Sequence, residues 1–150
     1  MEDILFDSRS ELDKLPFGAV KSGERVKFGI RIADALKATE VTLVLLNDND
    51  GDITEFTLTQ VWSERGYARF EGDIEIKTVG LYWYHFEVVS GGNIRTVEKS
   101  GSGADFTEYN PRSWQLSVYS PDYTTPDWIM GGAFYHIFVD RFRKFGERPL

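Results

Sequence analysis

The segment Tyr82-Trp83-Tyr84-His85-Phe86-Glu87-Val88 places an aromatic ring beside two polar side chains at two-residue spacing. On an extended strand, alternate residues share a face. Tyr82, Tyr84, Phe86 and Val88 form the more apolar set and are assigned to a core, where the tyrosine hydroxyls need partners. Trp83, His85 and Glu87 then share the outer face. An indole surface with hydrogen-bonding neighbours is suited to a sugar: the ring lies under the apolar C–H face, and polar groups meet the hydroxyl rim. Trp62 and Tyr67, on either side of the turn Glu64-Arg65-Gly66, are further platform candidates. The competing reading for Trp83 and Trp62 is packing against another domain or a partner subunit. Trp114 alternates with Leu116 and Val118 and is assigned to the core.

Other chemistries find little support. The run Asn47-Asp48-Asn49-Asp50-Gly51-Asp52 is rich in oxygen ligands. An EF-hand loop needs an acid five residues before its glycine and a Glu at its twelfth position. Those places hold Leu46 and Thr57, so the run reads as an acidic hairpin turn. His85 and His136 are far apart and have no cysteine to join them, so no metal site is expected. The chain has no cysteine, which excludes a thiol nucleophile, a disulfide scaffold and a Cys-ligated zinc. No phosphate-binding glycine loop or nucleophile elbow is present. No cofactor is expected. The net charge of −7, without a basic stripe, argues against nucleic acid or an anionic membrane as partner. No apolar stretch approaches the roughly 18 residues of a membrane span. The opening Met1-Glu2-Asp3-Ile4-Leu5-Phe6-Asp7 lacks the features of a signal peptide, so a soluble, cytoplasmic protein is expected.

The elements that must position these residues are strands. Aromatics make up 15% of the chain, alongside 14 Gly and 5 Pro, a balance that favours an all-β domain. Residues 1–16 carry little pattern, and Pro16-Phe17-Gly18 reads as a turn. Val26, Phe28, Ile30 and Ile32 alternate with polar residues, as a half-buried strand does. A short connection over 34–38 leads to Val41–Leu46, apolar on both faces. Alternation resumes over 53–58, giving a hairpin. Phe70, Ile74 and Ile76 suggest a strand interrupted at Gly72. The strongest strand runs 81–89 and turns at Ser90-Gly91-Gly92-Asn93 into 94–98. Residues 99–112 are expected to be a mobile loop. Trp114–Tyr119 completes about seven strands, an immunoglobulin-like antiparallel sandwich over 1–120.

Beyond it, Pro121 and Pro126 suit an extended linker over 121–132. Ala133-Phe134-Tyr135-His136-Ile137-Phe138-Val139 is an apolar run of the kind found in a strand buried on both sides. Nothing else in the sequence would pair with it in that way, so 133–150 reads as the start of a second, truncated domain.

Thr125-Pro126-Asp127-Trp128, then Gly131-Gly132, then Phe134-Tyr135-His136-Ile137-Phe138-Val139-Asp140-Arg141-Phe142 resembles the opening of the catalytic barrel in glycoside hydrolase family 13. This is the α-amylase, neopullulanase and pullulanase family. Its members commonly read Tyr-Gln-Ile-Phe-Pro-Asp-Arg-Phe on the first barrel strand; here His136 and Val139 replace the Gln and Pro. Upstream, Pro16-Phe17-Gly18-Ala19-Val20, Gly80-Leu81-Tyr82-Trp83-Tyr84-His85-Phe86 and Gln115-Leu116-Ser117-Val118-Tyr119 resemble the N-terminal sandwich of the same enzymes.

The resemblance implies a parent enzyme acting on α-glucans or maltooligosaccharides. Retaining hydrolysis needs two carboxyl groups about 5–5.5 Å apart. A barrel to carry them takes roughly 250 residues. By resemblance, two Asp and one Glu stand on later barrel strands, so this chain alone is expected to be inactive. Asp140 is read as ending the first strand, paired with a nearby base. Trp128, Tyr135 and Phe138 are expected to pack between sandwich and barrel. The expected role is that of an accessory domain that positions substrate or shapes the cleft, alone or across a homodimer. The alternative is a purely structural interdomain or dimerisation sandwich with no sugar affinity.

Overall fold

The computed structural model describes residues 2–133, 135 and 136. Among them are eleven strands: β1 (Ile4–Leu5), β2 (Lys14–Leu15), β3 (Val20–Lys21), β4 (Arg25–Ala33), β5 (Ala38–Asn47), β6 (Ile53–Glu64), β7 (Tyr67–Glu75), β8 (Gly80–Ser90), β9 (Asn93–Ser100), β10 (Gly103–Thr107) and β11 (Trp114–Tyr119). The seven strands expected from alternation are β4 to β9 and β11. The chain is all-β, as the composition implied.

Two layers are built from these strands. The first runs β6–β7–β4, with β1 and β2 both on the far edge of β4. The second runs β6–β5–β8; the other edge of β8 pairs with β11 along its first half and with β9 along its second. Strands β3 and β10 extend β11 and β9. The long β6 belongs to both layers, residues 53–58 pairing with β5 and residues 59–64 with β7. All these pairings are antiparallel except β3 with β11.

Apolar alternation is what turns the layers face to face. Phe28, Ile30, Ile32 and Phe70 from one sheet share a single core with Leu43, Tyr84, Phe86 and Leu116 from the other. Each such buried side chain contributes about 1.5–3 kcal/mol relative to exposure. The Phe28 and Tyr84 rings meet edge-on across the layers, 5.1 Å apart. Trp114 is buried and stacks on Tyr84 at 5.6 Å. The expected turns are present. Arg65 and Gly66 both take positive φ, as do Gly91 and Gly92, which suits two-residue hairpin loops.

Four expectations are corrected. Residues 99–112 are not a mobile loop: β10 pairs with β9, and the Arg112 guanidinium reaches Glu98 at 2.6 Å. The guanidinium of Arg95 also lies 3.5 Å over the Phe106 ring. The N-terminal segment is not featureless. Phe6 is buried with its ring 4.9 Å from those of both Phe86 and Trp114. Asp13 and Lys14 are buried as well. Strand β7 runs unbroken through Gly72, where an added Cβ would collide with Leu58. The expectation of hydroxyl partners for the core tyrosines holds for Tyr82, which donates to the Thr78 carbonyl at 2.9 Å, and fails for Tyr84, whose buried hydroxyl has no partner among the described residues.

After β11, residues 121–133 carry one short 3-10 turn, Asp127–Ile129. Tyr123, Trp128 and Met130 are exposed there, and so is Tyr135. The strand expected over 133–139 falls mostly outside the described residues, as do Phe138 and Asp140.

Candidate functional site

The five platform candidates fall on two opposite outer faces. On the β5–β8–β11 sheet, Tyr82, Tyr84, Phe86 and Val88 point into the core, leaving Trp83, His85 and Glu87 half-buried on the outside. Trp83 pairs across the sheet with Leu46 on one side and Gln115 on the other. Its indole N–H donates to Asp48 Oδ1 at 2.9 Å. Asp48 is held by the hairpin turn: its backbone N–H donates to the Leu81 carbonyl, and Asn47 Oδ1 accepts from the Asn49 N–H at 3.0 Å. The turn residues thus fold onto their own backbone, and one of them orients the Trp83 ring. Burial holds the His85 imidazole below its usual range, while neighbouring Glu87 pulls the other way.

Trp62 and Tyr67 lie on the outer face of the β4–β7–β6 sheet. The Tyr67 hydroxyl donates to the Glu2 carbonyl at 2.9 Å, so it ties down the chain start. Trp62 owes its direction to a β-bulge. Gln60 stands opposite Phe70, yet Trp62 stands opposite Arg69, so Val61 is the extra residue. An added residue reverses the pleat. Without it, Trp62 would oppose the inward-facing Ala68.

Beside Trp62 the sheet carries a dense set of charges. Arg69 is an outer-face residue yet only 4% exposed. Its guanidinium lies across Gly29, where any Cβ would overlap it. Arg69 donates to Asp13 Oδ1 at 2.5 Å, to Glu71 Oε1 at 3.1 Å and to the Leu12 carbonyl. These bonds strap residues 7–14 over the sheet. Lys27 Nζ meets the other Glu71 oxygen at 2.7 Å. Burial tends to raise the Glu71 carboxyl, but the hydrogen bonds and charges of Lys27 and Arg69 outweigh it and hold the group below its ordinary value. Trp62, Leu12 and Leu15 border a cavity of about 260 Å³ on this face, with Lys27, Arg31 and Glu71 among its polar walls. The Arg31 Nε is shielded from solvent and has no partner among the described residues.

Sequence reasoning found both tryptophans as candidates. It missed Asp48, Asp13, Arg69 and Gly29, whose roles rest on partners distant in the chain. Trp128 and Tyr135 are exposed. Among the described residues no group of three or more His, Asp or Glu is placed to hold a metal ion, and no helix is long and apolar enough to cross a membrane.

Fold and faces together define a two-layer β-sandwich domain of the kind resembled by the sequence motifs. Comparison with known proteins agrees. The chain is 24% identical over 148 residues to an amylopullulanase of Thermoanaerobacterium saccharolyticum, covering 94% of this chain and 11% of that protein. It is 24% identical over 147 residues to the amylopullulanase of Thermoanaerobacter thermohydrosulfuricus, covering 94% and 10%. With that of Thermoanaerobacterium thermosulfurigenes it shares 25% over 148 residues, covering 94% and 8%. The chain therefore spans about a tenth of the length of the curated relatives it matches. Among solved structures, a cyclomaltodextrinase shares the fold with a TM-score of 0.57 at 16% identity, over 89% of this chain and 22% of that one. No protein-family model matches the chain. The similarity to amylopullulanases thus covers nearly the whole chain.

Proposed function

We propose that this chain is a non-catalytic accessory domain of an α-glucan-acting glycosidase, and that it positions substrate beside a catalytic barrel. The observation that carries this reading is the similarity to amylopullulanases over 94% of the chain. The outer faces supply what the role needs, since each presents an indole flanked by polar groups. Trp62 is 43% exposed, enough to meet a sugar ring. The test is calorimetric titration of the chain with maltohexaose and cyclodextrin. Saturable heat at millimolar ligand supports the reading, and its absence removes direct sugar contact.

A second reading has its own observation. Trp128, Tyr123 and Met130 stand exposed in one short segment after the last strand. Such a group favours packing between this domain and the barrel in cis, a contact that requires no sugar affinity.

A further inference from the structure

We infer that the sugar seat lies on the outer face of the β4–β7–β6 sheet, with one glucosyl ring of an α-glucan stacked on Trp62. This rests on the accessory-domain reading and says which face carries it. Three observations separate this face from the Trp83 face.

The first is the bulge. Bulges re-aim side chains and are over-represented beside functional sites. Here the extra Val61 turns a large aromatic ring out of the layer and towards solvent. No packing need is met by that, because the ring stays 43% exposed. On the other face, Trp83 is half-buried and its indole N–H is engaged by Asp48.

The second is the cavity. Its volume of about 260 Å³ lies below the range of about 300–1,000 Å³ usual for drug-sized ligands. That suits one or two rings of a chain that continues into solvent. Trp62, Leu12 and Leu15 give it apolar surface. Leu12, 73% exposed, lies on the strap that Asp13 and Arg69 hold in place, and Leu15, 46% exposed, follows it on β2. A sugar's C–H face would remove this surface from water.

The third is the charge balance. Lys27, Arg31 and Arg69 are offset by Glu11, Glu71 and Asp13, so the site offers no net attraction to an anion or a cation. It offers donors and acceptors side by side, which suits hydroxyls that do both. Arg31 lines the cavity with a side chain 31% exposed, so its guanidinium is a donor within reach of a ligand hydroxyl. Lys27 and Glu71 remain partly exposed and can share vicinal hydroxyls.

The test is an NMR titration of the whole chain with maltohexaose, following the indole N–H signals, with Trp62→Ala, Trp83→Ala and Arg31→Ala compared. Trp62→Phe assigns the Trp62 signal, and thermal melts confirm that each variant is folded. The Trp62 signal is expected to shift saturably. Trp62→Ala and Arg31→Ala should weaken binding, the former by about tenfold, while Trp83→Ala leaves it within about twofold. Binding that survives Trp62→Ala but is lost in Trp83→Ala overturns this inference and leaves the accessory-domain reading standing. No binding by the unaltered chain removes the sugar contact and this seat with it.

Discussion

Replacing Asp13 by Ala should loosen the strap that forms one wall of the Trp62 cavity. Asp13 is 2% exposed and Arg69 4%, so the pair is sequestered from water. Breaking a buried pair from one side costs about 3–5 kcal/mol, mostly because the remaining charge is stranded. Arg69 keeps Glu71 at 3.1 Å, which offsets part of that loss. Asp13 also accepts from the Asp7 N–H at 3.0 Å, and that bond goes too. The net expectation is a destabilisation of about 2–4 kcal/mol, or roughly 5–15 °C in Tm for a domain of this size. Urea unfolding followed by circular dichroism at neutral pH measures it. Adding Arg69→Met should recover part of the loss, since the more deeply buried of the two cations that face Asp13 is then gone, while Arg31, 3.8 Å from Asp13, still lacks it. A loss below about 1 kcal/mol for Asp13→Ala would refute the reasoning, because it would place the pair at surface-bridge strength.

Further predictions concern buried polar groups. Tyr84→Phe removes a hydroxyl that has no partner and should stabilise the domain by about 1 kcal/mol, read as a higher urea midpoint. Burial pushes Lys14 down to about 8 from its usual 10.5, although its ammonium donates to the Pro16 and Gly18 carbonyls. The unfolded chain then holds the extra proton between those values, so the Lys14 contribution to stability rises as pH climbs through that window and is lost as pH falls towards 8. Unfolding free energies at about pH 7.5 and about pH 9.5 should therefore differ by a larger increment in the native chain than in Lys14→Met.

The parts of this fold legible in the sequence are those where one residue's neighbours decide its face. Strands β4, β8 and β11 alternate cleanly because a core lies on one side and solvent on the other. The glycine pairs at 91–92 and the Arg65-Gly66 turn were legible because backbone handedness restricts which residues fit. Strand β10 was hidden by Gly101, Ser102 and Gly103, which read as loop, while its pairing comes from β9. The strap was hidden more deeply. Asp13 and Lys14 look like surface residues, and the partners that make burial of Asp13 tolerable, Arg69 foremost, lie up to 56 positions away. The same holds at the candidate site. Trp62 could be chosen as an exposed aromatic from its place beside a turn. The bulge that aims it, and the Asp48 bond that engages Trp83, depend on strand register, which local spacing does not encode.

The central claim is that this chain holds α-glucan without cleaving it. Equilibrium dialysis of the chain against maltohexaose, with reducing ends counted in the same samples, tests it most directly. The account predicts saturable retention of intact maltohexaose and no reducing ends above the protein-free blank. Release of shorter sugars, or retention no greater than with an unrelated protein, would contradict it.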